Sequence, residues 1–153
     1  MSGKMKGKRE GGFLISKVHQ LSQRIFAKLL KEYNIEGLNP AQGRIMFVLW
    51  QKDKIPIHEL VKQTQLTKST LTSTLDRLEQ AGFLKRVPSE EDRREILIEL
   101  NDIGKNLQDK YVDVSQEMND LFYDKFEERE MDEFEDYLRR ILNNLIEIEE
   151  KNN

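Results

Sequence analysis

The 153-residue sequence predicts a mainly α-helical fold with one small β-hairpin, and three observations carry that expectation. Apolar residues recur at three- and four-residue steps over long stretches at both ends of the chain. Two shorter helical patterns separated by a tight turn occupy the middle. Directly after them, two brief apolar runs, FLKRVP and ILIEL, flank the charged heptapeptide SEEDRRE.

The first helix is expected from about Phe13 to Tyr33, where Leu14, Val18, Leu21, Ile25 and Leu29 form one stripe. Asn39 as N-cap and Pro40 at the first helical position open the second. That helix turns Ile45, Leu49 and either Phe47 or Val48 inward and stops near Lys52. KIPIHEL begins with an extended piece that Pro56 confines to a sheet edge, followed by a short helix from His58 to Thr64. After the QL turn, Thr67 caps a helix through KSTLTSTLDRLEQA that ends at Gly82, whose freedom at positive φ suits the residue past a helix end. The runs around SEEDRRE read as two strands joined by a polar loop.

A helix from about Asp102 to Phe126 follows, roughly 37 Å long at the usual rise per residue. Its stripe is Ile103, Leu107, Tyr111, Val114, Met118, Leu121 and Phe122. A final helix from about Glu130 to Glu149 repeats the pattern through Phe134, Leu138, Ile141, Leu142, Leu145 and Ile148. Both are longer than the middle can cover, so the simplest partner for their apolar stripes is a second copy of the chain. The alternative is a monomeric bundle of the terminal helices.

Composition removes several classes of function. With no cysteine there is no disulfide, thiolate nucleophile or sulfur-ligated metal. No apolar run approaches the ~20 residues of a membrane helix, and MSGKMKGKREGG lacks the apolar stretch of a signal peptide, so a cytoplasmic protein without a membrane partner is expected. The two histidines, His19 and His58, fall in different helices, and the sequence has no glycine-rich phosphate loop. No catalytic residues, cofactor or metal site are expected.

The net charge of -3 conceals a polarity. Met1 to Lys54 holds 11 basic and 4 acidic residues, whereas Asp102 to Asn153 holds 7 and 16. A basic end suits a polyanionic partner.

Two short helices joined by a tight turn make a helix-turn-helix. On the second, Leu71, Leu75 and Leu78 fall within a narrow arc, and Ser69, Thr72, Ser73, Asp76 and Arg77 project from the other side. Lys68 and Thr70 join that polar set near the helix start. A merely solvated face would more often carry Glu, Lys and Gln, which are better helix formers, so the short hydroxyls point to contacts in a major groove. A hairpin directly after this helix makes a winged helix, with Arg86, Asp92, Arg93 and Arg94 as its DNA-facing residues. Acids cannot approach phosphate favourably, so Asp92 is expected to hold Arg94 in a fixed pose for a narrow minor groove.

The stretches LNPAQGRIMFVL, LTKSTLTSTLDRLEQAGFLKR and SEEDRREILIELNDIGKNL together resemble the multiple-antibiotic-resistance-regulator (MarR) family, over nearly the whole chain. The resemblance implies one domain, with dimerisation helices at 13–38 and 102–153 and a winged helix-turn-helix lobe at 39–101; the lysines and glycines of residues 1–12 suggest a flexible basic arm. The resemblance also implies a homodimer on pseudo-palindromic double-stranded DNA, usually a repressor. Release would follow when a small, commonly aromatic anion enters the cleft between the dimerisation and DNA-binding parts. His19, Arg24 and Trp50 are candidate lining residues for that effector. By the same resemblance Arg94 is the minor-groove arginine and Asp92 orients it. Some relatives carry an arginine in mid recognition helix where this chain has Ser73, and Glu90, Glu91 and Glu95 add negative charge to the wing. The rival expectation is a winged-helix interaction protein that has lost specific DNA binding and works through its acidic C-terminal helices.

Overall fold

The structure, a computed structural model, describes residues 8–152; most of the expected basic arm, residues 1–7, lies outside the described residues. The element order is α1 (Gly11–Glu32), α2 (Pro40–Gln51), β1 (Ile55–Pro56), α3 (Ile57–Thr64), α4 (Lys68–Gln80), β2 (Leu84–Pro88), β3 (Ile96–Leu100), α5 (Asp102–Asn106), α6 (Gln108–Phe122) and α7 (Glu128–Asn152). The chain divides between Ser115 and Gln116 into two compact units.

Local chemistry sets most boundaries in the first unit. The Asn39 side chain accepts from the amide of Gln42, and Gln42 Oε1 returns a bond to the Asn39 amide, so a reciprocal capping box opens α2 with Pro40 in its first turn. Thr67 Oγ1 accepts from the Thr70 amide at the start of α4. At its end Gly82 adopts φ 87°, its amide bonds Glu79 O, and the Phe83 amide bonds Leu78 O. That is a Schellman closure, and it turns the chain directly into β2.

The sheet order is β1-β3-β2, antiparallel throughout, with Ile55 opposite Ile98 and Arg86 opposite Ile98 on its other side. Pro56 therefore stands on an edge strand, where its missing amide removes no ladder bond. Beneath the sheet lies a core of Ile45, Met46, Val48, Leu49, Leu60, Leu71, Leu75, Leu78, Phe83, Leu84, Ile98 and Leu100. Val48 faces this core and Phe47 is exposed, which resolves the choice left open for α2. The leucine arc of α4 is completely buried, so the helix can present only its other face outward.

The single helix expected from Asp102 to Phe126 is interrupted at Leu107 and ends at Phe122. The Gly104 carbonyl, which the Gln108 amide would use in an unbroken helix, accepts a 2.9 Å bond from Trp50 Nε1. Gly104 is held against the sheet so closely that an added Cβ would stand 2.3 Å from Phe83 O. Three residues past the end of α6, Lys125 enters the left-handed region, φ 68°. Farther along, Tyr111 packs edge-on against Phe26 and lies 5.0 Å from the Trp50 ring, joining α1, α2 and α6.

In the second unit, Phe122, Tyr123, Phe126 and Phe134 form an aromatic cluster, and Tyr123 Oη donates to Glu135 at 2.6 Å. Among the described residues no helix is long and apolar enough to cross a membrane.

Candidate nucleic-acid interface

With one face of α4 committed to the core, Lys68, Ser69, Thr70, Thr72, Ser73 and Arg77 are all exposed. Their hydroxyls have a defined polarity. Thr72 Oγ1 donates to Lys68 O at 2.8 Å and Ser73 Oγ donates to Thr70 O at 3.1 Å. Thr67 Oγ1 donates to Thr70 Oγ1 at 3.0 Å. With their protons directed to neighbouring oxygens, the Thr72 and Ser73 hydroxyls offer acceptor lone pairs to the surroundings, the complement of an adenine N6 or cytosine N4 amino group.

The heptapeptide that follows β2 is a built loop. Ser89 is buried, and its Oγ accepts from the amides of Glu91 and Asp92, each at 3.2 Å. The Ser89 amide bonds Glu95 O and the Glu95 amide bonds Asp92 O, closing the base of the wing. Asp92 Oδ1 accepts from the Arg94 amide at 3.0 Å and from Arg94 Nε at 3.4 Å. The Arg94 side chain is nevertheless 92% exposed, so its charge remains available to an outside anion while its root is fixed. Arg93 is exposed beside it.

Two wing residues face the body of the lobe. Glu95 Oε1 meets His58 Nε2 at 2.9 Å, linking the wing to the first helix of the pair. Arg86 reaches α4, where Nη2 donates to Asp76 Oδ1 at 2.8 Å and Nη1 to Glu79 Oε1. Neither link follows from local sequence, whereas the Ser89-to-Asp92 spacing is a recognisable turn signal. An open cavity of about 460 Å3 lies between α3, the start of α4 and the wing, lined by Ile57, His58, Val61, Lys68, Arg94, Glu95 and Ile96.

The three candidate effector residues are not gathered in the same way. His19 is exposed on α1. Arg24 lines a shallow depression with Gln20, Gln23, Ala27 and Pro40. Trp50 is half-buried and spends its one donor on Gly104. Among the described residues no three His, Cys, Asp or Glu side chains are placed to hold a metal ion.

A helix-turn-helix with a polar second helix, followed by a hairpin that displays an arginine, defines a winged-helix DNA-binding protein. The MarR family model matches residues 38–96, the segment that carries this arrangement. The transcriptional regulator PecS of Dickeya dadantii is 33% identical over 135 residues, which cover 86% of this chain and 80% of PecS. The chain belongs to the MarR family of transcriptional regulators. Its fold matches a MarR regulator from Methanosarcina mazei Go1 with TM-score 0.78 and 23% identity over 92% of this chain and 99% of that one. It also matches a mutant MarR from E. coli complexed with operator DNA, with TM-score 0.75 and 25% identity over 86% of this chain and 92% of that one.

Proposed function

We propose that the protein is a homodimeric repressor that places two α4 helices in successive major grooves of a palindromic operator and releases it on binding a small aromatic anion. The observation that carries the DNA contact is the pairing, on one lobe, of the outward hydroxyl face of α4 with an Arg94 that is rooted by Asp92 and exposed beyond it. Lys68, Ser69, Thr70, Thr72, Ser73 and Arg77 would read base edges and neighbouring phosphates, and Arg93 and Arg94 would approach the minor groove and its backbone. The fold match to a mutant E. coli MarR complexed with operator DNA supports the reading that this lobe binds DNA.

The dimer is supported by apolar stripes that no described residue of one chain covers. Leu14, Val18, Leu21 and Ile25 on α1, and Ile141, Leu142, Leu145 and Ile148 on α7, are all exposed. Stripes of that length on regular helices are buried in stable folds, and a closed two-fold pair is the simplest way to bury them. Two α4 helices in such a pair would stand roughly 34 to 36 Å apart, one turn of duplex. An effector would act by favouring a spacing of the wings at which both half-sites cannot be reached together.

Selection of bound sequences from random genomic fragments at two salt concentrations tests the reading. Enrichment of a palindrome with half-sites one turn apart is the expected result. Salt-sensitive binding without sequence enrichment would sink it in favour of a winged-helix interaction protein.

A further inference from the structure

Arg86 was expected among the DNA ligands of the wing, yet its geometry gives it another task. It stands on β2 opposite Ile98, and its side chain is only 27% exposed. Nη2 donates to Asp76 Oδ1 at 2.8 Å, Nη1 to Glu79 Oε1, and the Arg86 amide donates to Glu79 Oε2 at 3.3 Å. Glu79 thus grips the main chain and the side chain of one residue. Asp76 and Glu79 are three residues apart on α4 and so share a face. A second link, His58 to Glu95 at 2.9 Å, ties the end of the wing loop to α3.

We infer that Arg86 is a positioning residue: bridging Asp76 and Glu79, it fixes the angle between the wing and α4, and so holds Arg94 at the distance from the reading face that one half-site requires. This rests on the DNA-binding reading above. A planar fork with five donors can span two carboxylates, which a single ammonium cannot do at both geometries. Turning Arg86 outward to a phosphate would leave two acids uncompensated beside a polyanion. The cluster as it stands carries a net charge of -1, so it is a poor phosphate site but a firm brace.

The test measures affinity for the selected palindrome across a salt series. Arg86→Gln is expected to lose roughly tenfold or more in affinity with the salt slope unchanged. Glu79→Gln is expected to weaken binding as well, although it removes a negative charge, and the double variant should be no worse than Arg86→Gln alone. Arg86→Lys should fail to restore binding. Tighter binding by Glu79→Gln, restoration by lysine, or a slope reduced by about 1 in Arg86→Gln would overturn the inference in favour of a phosphate contact.

A readout without DNA guards against a merely unfolded variant. The chain has no cysteine, so spin labels at Gln80→Cys and Glu90→Cys, in chains diluted with unlabelled protein, report the distance between α4 and the wing. That distance should broaden in Arg86→Gln while the circular dichroism spectrum is retained, and an unchanged distribution overturns the brace. A wild type that binds no DNA would overturn the DNA-binding reading and the positioning role together. Binding wild type with unaltered variants would overturn the brace alone.

Discussion

Trp50 Nε1 and the Gly104 carbonyl are joined by a 2.9 Å hydrogen bond that spans 54 positions of sequence and falls where the helix after the wing is interrupted. Removing the donor should therefore do two things. Trp50→Phe is expected to lower stability by roughly 1 kcal/mol, and more if the carbonyl is left dry. It should also release Gly104 O to accept from the Gln108 amide, which native-state hydrogen exchange would register as new protection at Gln108. Unchanged exchange there would sink the explanation of the interruption.

A second prediction concerns Gly43, which lies in α2 beneath the phenol of Tyr111. A Cβ at Gly43 would stand 2.1 Å from Tyr111 Oη and 3.0 Å from Cζ. Gly43→Ala is expected to cost roughly 1 to 3 kcal/mol, the range for overpacking. Tyr111→Phe removes the nearest clashing atom, so the double variant should recover part of that loss. Additive denaturation midpoints would show that the two residues do not meet in this way.

Tyr111 also sets an alkaline limit. Burial pushes its phenol from 10.0 up to about 12, so the fold favours the protonated form. Since the folded value lies above the unfolded one, this stabilisation is whole below pH 10 and is lost as pH rises toward 12. The loss is on the order of 2 to 3 kcal/mol. Tyr123, pushed up to about 12 by burial and by its bond to Glu135, titrates in the same window. Unfolding curves in a Tyr123→Phe background should fall between pH 10 and 12, and Tyr111→Phe should flatten them. A flat profile with Tyr111 present would contradict the burial argument.

For the wing, Arg94→Ala is expected to weaken operator binding by about 1 to 3 kcal/mol and to reduce the salt slope by about 1. Its thermal midpoint should stay at the wild-type value, because the side chain is solvent-exposed. Asp92→Ala removes the anchor of the Arg94 amide and Nε, so it should weaken binding despite taking away a negative charge. Tighter binding by Asp92→Ala in a gel-shift titration would count against the anchoring role.

Features written in neighbouring residues were the legible ones. Asn39 with Pro40, Thr67, and Gly82 each mark a helix end through a bond to a residue within a few positions, and the leucine arc of α4 follows from helical period alone. The Asp92 to Arg94 contact is local in the same sense. The pairs that escaped are set by tertiary approach: Arg86 with Asp76 and Glu79, His58 with Glu95, and Trp50 with Gly104. Charge counting placed Arg86 on the wing but could not show which way it turns. Periodicity likewise predicts one helix after β3, since Ile103 and Tyr111 keep the pattern on either side of a break that coincides with the hydrogen bond from Trp50 of α2.

The strand order β1-β3-β2 leaves β1 and β2 as the two rims of the sheet, and each contains a proline, Pro56 and Pro88. Along the longer rim Lys85 pairs with Glu99 and Arg86 is turned onto α4. A rim with a missing amide at Pro88 and with the Arg86 amide already donating to Glu79 of α4 is a poor template for another chain's strand. Crowding should therefore leave the sheet at three strands, and its neighbours in concentrated solution are expected to meet through helices and not through edge-to-edge stacking.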